Sequence, residues 1–135
     1  MTIPGTTRVQ LDTNVIIRFL TGEPAEQATA ARRLLVSGTP LHITHVTIAE
    51  CAHVLRSVYR TPQPVIATVL RSLLALPHLD TDEPDLLLHA LEILETTGLG
   101  FADAYLAASA IDTGRTVASF DRGLDRIAGL TRHSP

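Results

Sequence analysis

Apolar and polar positions along the chain alternate in short runs, then recur at helical spacings, and Gly or Pro punctuates the pattern throughout. Arg8–Leu11 reads as a buried strand, with a helix over Thr13–Leu20 directly after it. Pro24 opens a second helix to about Val36, at an early position where its missing N–H does no harm, and Gly38 closes it. Leu41–Thr44 is a short β candidate, after which Thr44 or Thr47 caps a long helix to about Tyr59. Pro62 and Pro64 start another helix that ends near Leu76, and His78–Thr81 follows as a third strand. Asp82–Asp85 begins a helix to Thr97, closed by Gly98; Phe101–Asp112 is a further helix, ended by Gly114. Thr116–Phe120 is the last clear strand, Asp121 caps a final helix, and Leu130–His133 adds an edge strand.

Strands alternating with helices of this length imply crossovers between parallel strands, hence an α/β layered fold. In such sheets ligands gather at the carboxyl ends of the strands. The chain's 135 residues suit one domain, and no repeat, low-complexity tract or long linker divides them. Residues 1–7 are expected to form a flexible tail.

Composition narrows the picture. Apolar residues make up 45% of the chain but aromatics only 4%, so the core must be built from Leu, Ile, Val and Ala. Cys51 is the single cysteine and has no partner for an internal disulfide, which makes the cytoplasm the expected compartment. The N-terminus lacks the charged and apolar pattern of a secretory signal. The most apolar stretches, Val65–Leu76 and Leu86–Leu94, are interrupted by Arg71, His89 and Glu92 and are too short to cross a bilayer.

Net charge is −3, and all 11 basic residues are arginine. A broad basic surface is therefore excluded as the source of any affinity for nucleic acid. Such a partner would have to be gripped locally, which suits the bidentate arginine fork.

Four acids stand out by position. Asp12 ends the first strand and Asp121 ends the one at Val117–Phe120; each could be a helix N-cap, whose carboxylate accepts bonds from free backbone N–H groups. Two strand-terminal aspartates at the ligand edge are, however, a coincidence that capping does not explain. Glu50 follows Thr47 in a capping-box pattern, but with Thr44 as the cap it falls deeper, on an otherwise apolar segment. Asp103 complements the dipole of its helix, yet is embedded among Phe101, Ala102, Ala104, Tyr105 and Leu106, where a charge ordinarily needs a partner or a metal. Each acid alone reads as structural. Four of them converging on one strand edge would repel one another unless cations lay between them, and oxygen ligands without a Cys or His set select Mg²⁺ or Mn²⁺.

The segments Leu11-Asp12-Thr13-Asn14-Val15, Glu50 in its helix, Phe101-Ala102-Asp103-Ala104 and Ser119-Phe120-Asp121-Arg122 together resemble the PIN-domain nucleases. More narrowly they resemble the VapC-type toxins of bacterial toxin–antitoxin pairs. The resemblance implies a parallel central sheet flanked by helices and an endoribonuclease. Asp12, Glu50, Asp103 and Asp121 would bind one or two Mg²⁺ ions, with Thr13, Asn14 and Ser119 as polar supports. It also implies a homodimer and a groove for an antitoxin segment, formed by the leucine-rich helices, for which an ordinary core is the plain alternative. Many relatives carry another acid two places after the last aspartate; here that position is Gly123, and Asp125 lies a turn further on.

In metal-assisted phosphodiester hydrolysis no protein nucleophile is needed, and a carboxylate free of metal can take the proton of the attacking water. Arg122 and Arg126 are candidates for steering RNA phosphate, against a solvated helix face; Arg56 and Arg60 fit a surface role better. His42, His45 and His53 lack a completed four-ligand set for zinc, and Cys51 reads as packing rather than a nucleophile. Two other functions compete. A haloacid-dehalogenase-like phosphatase would need a second acid where Asn14 stands, and usually a lysine, which this chain lacks. A catalytically silent PIN-like module would bind RNA or protein without cutting.

Overall fold

The computed structural model describes residues 7–135, so nearly all of the expected tail lies outside the described residues. The elements run β1 (Val9–Gln10), α1 (Thr13–Thr21), α2 (Ala25–Val36), β2 (Leu41–His42), α3 (His45–Ser57), α4 (Gln63–Leu74) and β3 (Leu79–Asp80). Then follow α5 (Pro84–Thr97), α6 (Phe101–Thr113), β4 (Val117–Ala118), a 3₁₀ helix (Arg122–Arg126) and β5 (Arg132–His133).

All strand pairs are parallel. β2 lies between β1 and β3, with Val9 and Leu79 both paired to Leu41. Flanking bonds extend each ladder by a residue: Leu11 N–H donates to the His42 carbonyl and Ile43 N–H to that of Asp80. β4 and β5 form a separate two-stranded ladder, extended by Ser119 N–H to the His133 carbonyl. The expected α/β architecture with a parallel sheet is present, in two hydrogen-bonded pieces and with strands shorter than the sequence pattern suggested.

The core is aliphatic, as the composition required. Ile16 and Ile17 of α1, Ile48 of α3, Ile66 and Leu70 of α4, and Leu87, Leu91 and Leu94 of α5 are almost wholly buried. They form one continuous cluster with the apolar strand residues Leu11, Leu41 and Ile43. Most of the leucine excess of α4 and α5 thus belongs to the core, leaving Val65 and Leu88 partly exposed. α3 packs against α1, α4 and α6.

Helix boundaries follow local chemistry. Thr44 Oγ1 accepts from the Thr47 N–H at 3.2 Å and caps α3. Pro84 stands first in α5, while Gly98 and Gly114 close α5 and α6 at φ 73° and 69°, where a side chain would be strained. The last helix departs from expectation: after Asp121 the chain forms only one short 3₁₀ turn. Its buried side chains, Leu124 and Ile127, are three apart, which matches a 3₁₀ turn better than an α-helix. Among the described residues no helix is long and apolar enough to cross a membrane.

Candidate active site

Asp12 is the first residue past the β1 ladder and stands at the N-cap of α1 with extended backbone (φ −86°, ψ 152°). Its carboxylate makes no cap hydrogen bond and is exposed, so capping does not account for it. The next residue, Thr13, donates from Oγ1 to Glu50 Oε2 at 2.6 Å. Glu50 lies in the second turn of α3, beyond the cap that Thr44 supplies, so it is no part of a capping box. Its carboxylate projects from α3 toward the start of α1.

Cys51 follows Glu50 on α3. Its side chain is fully buried, and burial, followed by the charges of Glu50 and Asp12, pushes its thiol up to about 12. A thiol held protonated and away from solvent is no nucleophile at neutral pH.

Asp103 occupies the first turn of α6, half-buried, after a Gly100 cap that has no side chain to offer. It lines a cleft of about 500 Å³ with His45, Val46 and Ala49 of α3 and Phe101, Tyr105 and Leu106 of α6. Ala49 directly precedes Glu50, so Asp103 faces the stretch of α3 that carries the second acid. His45 fixes this spacing: its Nδ1 pairs with Tyr105 Oη at 2.8 Å and its Nε2 with the Asp82 carbonyl. The His45 and Tyr105 rings also meet edge to face, 5.5 Å apart. His42 is likewise committed, to Asp80 at 2.6 Å, within a pair that Arg8 completes at 2.8 Å.

Asp121 is held differently. Its Oδ1 accepts from the Gly123 N–H at 2.8 Å, and its own N–H donates to Ser119 Oγ at 3.0 Å. Capping does occupy this acid in part. A Cβ at position 123 would lie 2.9 Å from Asp121 Oδ1, so the carboxylate uses the space a side chain there would fill. Asp125 does not replace the acid missing at Gly123. It forms a two-pronged pair with Arg132, at 2.8 and 3.0 Å, which holds its carboxyl below the usual range.

The structure thus bonds Thr13, the residue after Asp12, to Glu50 and sets Asp103 in a cleft between α3 and α6. Asp121 and Ser119 end the other ladder. Among the described residues no three acids or histidines close into a ready metal cage. Asn14 is exposed on α1 beside a shallow α1–α2 groove. Arg122 is exposed and has no ion-pair partner among the described residues, whereas Arg126 donates from Nε to the Gly123 carbonyl at 3.3 Å.

The family model of the PIN domain matches residues 9–130 of this chain. The chain belongs to the PIN domain family. The match spans all four acids and both ladders up to the turn before β5. No curated protein matches it. Among solved structures, one that resembles it is VapBC2 from Rickettsia felis bound to a DNA fragment from its promoter. That structure is 20% identical, covers 94% of this chain and 98% of its own, and superposes with a TM-score of 0.38.

For a PIN domain the donor set at Asp12 and Glu50 suits a hard divalent cation. Mg²⁺ keeps several waters and is ordinarily bound through one or two carboxylates plus substrate phosphate, so a complete protein cage is not required. Asp12 and Glu50 are both exposed, and the Thr13 hydroxyl steadies Glu50. Two site features escaped sequence reasoning: Arg132, which ties Asp125 to the Ser119 carbonyl at 2.8 Å, and the exposure of Phe120. The first could have been sought as an opposite charge for Asp125; the second has no signature in a residue string.

Proposed function

We propose that this PIN domain is a Mg²⁺-dependent endoribonuclease, with Mn²⁺ able to substitute, and the toxin of a toxin–antitoxin pair. The observation that carries the reading is the Asp12 carboxylate: it follows the β1 ladder, caps nothing, is exposed, and precedes Thr13, whose hydroxyl donates to Glu50. Two like charges so placed repel unless a cation joins them. The bound ion would polarise a phosphoryl oxygen and acidify a water.

The chain's own residues do the rest. Asp12 and Glu50 hold the site, and the Thr13 hydroxyl fixes one oxygen of Glu50 while leaving the other open. Asp103, half-buried in the adjoining cleft, is placed for a substrate entering between α3 and α6 and is a candidate to accept the water's proton. Asp121 is the fourth proposed acid, with Ser119 Oγ accepting from its backbone N–H, and Arg122 and Arg126 would meet phosphate. The toxin role rests on the resemblance of these motifs to VapC-type toxins. With it go a protein antitoxin, a homodimer and a cytoplasmic setting.

The test is cleavage of a mixed tRNA and rRNA pool by metal-stripped protein, with and without Mg²⁺ or Mn²⁺, beside Asp12→Asn and Asp103→Asn. Metal-dependent cutting that both variants lose supports the reading. A second reading, a silent PIN module that binds without cutting, draws on the absence of a closed cage of three acids among the described residues. RNA binding by wild type with no cleavage under any metal would favour it.

A further inference from the structure

Phe120 is out of place by the ordinary logic of burial. The chain has only three phenylalanines and no tryptophan, in a core that must be assembled almost entirely from aliphatic groups. Yet Phe120 is 80% exposed, the most exposed of the large apolar side chains among the described residues. An aromatic ring left in water forgoes one of the largest burial gains available to a side chain.

The backbone on either side of the ring is held rather than loose. On one side, Ser119 is pinned through its N–H to the His133 carbonyl and through its carbonyl to Arg132, whose guanidinium is itself clamped on Asp125. On the other side, Asp121 is pinned to Ser119 Oγ and to the Gly123 N–H. Phe120 therefore stands out between two fixed residues, at the carboxyl end of β4. The candidate acid Asp121 follows it directly, and Arg122, which has no ion-pair partner among the described residues, comes next.

We propose that Phe120 is a stacking platform for an unpaired nucleobase of the RNA, with Arg122 on the adjoining phosphate. The inference deepens the ribonuclease reading and rests on it. A flat ring beside a guanidinium matches the two faces of a single-stranded nucleotide, and rigid presentation keeps the entropic cost of stacking low. Duplex RNA, whose bases are already stacked, offers this ring nothing. The site thereby selects single-stranded or flipped-out segments.

Affinity is measured in an Asp12→Asn background, which prevents cutting and removes a carboxylate from the path of the RNA. The probes are a fluorescein-labelled single-stranded oligoribonucleotide of mixed sequence and a blunt RNA duplex. Phe120→Ala and Phe120→Leu should each weaken single-strand binding about five- to hundredfold, leave duplex binding unchanged, and melt at the parent temperature. Phe120→Trp should bind as the parent does and, as the chain's sole tryptophan, lose fluorescence on adding the single strand. Unchanged single-strand affinity in Phe120→Ala, or an unquenched tryptophan, overturns the inference while the nuclease reading stands. A parent protein that binds neither probe overturns both. A ring that governs sedimentation but not RNA affinity would be a protein contact, and the inference would fail in favour of a partner chain.

Discussion

Cys51 gives the most direct residue-scale check on how the acids are grouped. Burial, followed by the charges of Glu50 and Asp12, pushes its folded thiol from the ordinary 9.0 up to about 12. Between these values the unfolded chain loses a proton that the folded chain keeps, so stability is full below pH 9 and declines as pH rises, by about 1.4 kcal/mol per unit. The chain has no lysine to titrate in the same window. Urea midpoints at pH 8 and 10 should fall in wild type, and Cys51→Ala should remove most of the difference. A thiol reagent should likewise fail to label the native protein at pH 8 and label it fully in urea. Thr13→Val tests the other residue-scale contact. Without its hydroxyl, Glu50 loses its 2.6 Å partner, and metal-dependent cleavage should drop at least tenfold while the melting temperature changes little.

At the scale of elements, the caps and clamps decide where each acid points. Thr44→Ala removes the α3 cap and should cost about 1 kcal/mol in a denaturation curve. Arg132→Ala frees Asp125 and the Ser119 carbonyl; amide exchange at Val117 and Ser119 should quicken relative to α5. Most of this layer was legible in the residues. Pro24, Pro84, Gly98 and Gly114 marked helix ends because their backbone restrictions are local, and Thr44 was legible as a cap because its spacing to Thr47 is local too. The turn after Asp121 was not legible. An α-helix and a 3₁₀ turn share their first residues, and the outcome depends on burying both Leu124 and Ile127 in the core. The site divides in the same way. That Asp12 and Asp121 end strands follows from pattern alone, whereas the Thr13–Glu50 bond joins residues 37 apart and needs the packing of α1 on α3.

For the molecule as a whole, a bound cation should register as stability. If Asp12 and Glu50 hold Mg²⁺, millimolar Mg²⁺ raises the melting temperature of wild type by mass action on the folded state. Asp12→Asn should be more stable than wild type without metal, since one of two repelling charges is gone, and should gain nothing when Mg²⁺ is added. Equal shifts in both proteins would dissociate the ion from this pair.

No ladder bond joins β1 to β4 among the described residues, so Asp12 and Asp121 ride on separately braced plates. Shifting one ladder against the other therefore breaks no sheet hydrogen bond between them, and each acid keeps the bracing of its own ladder.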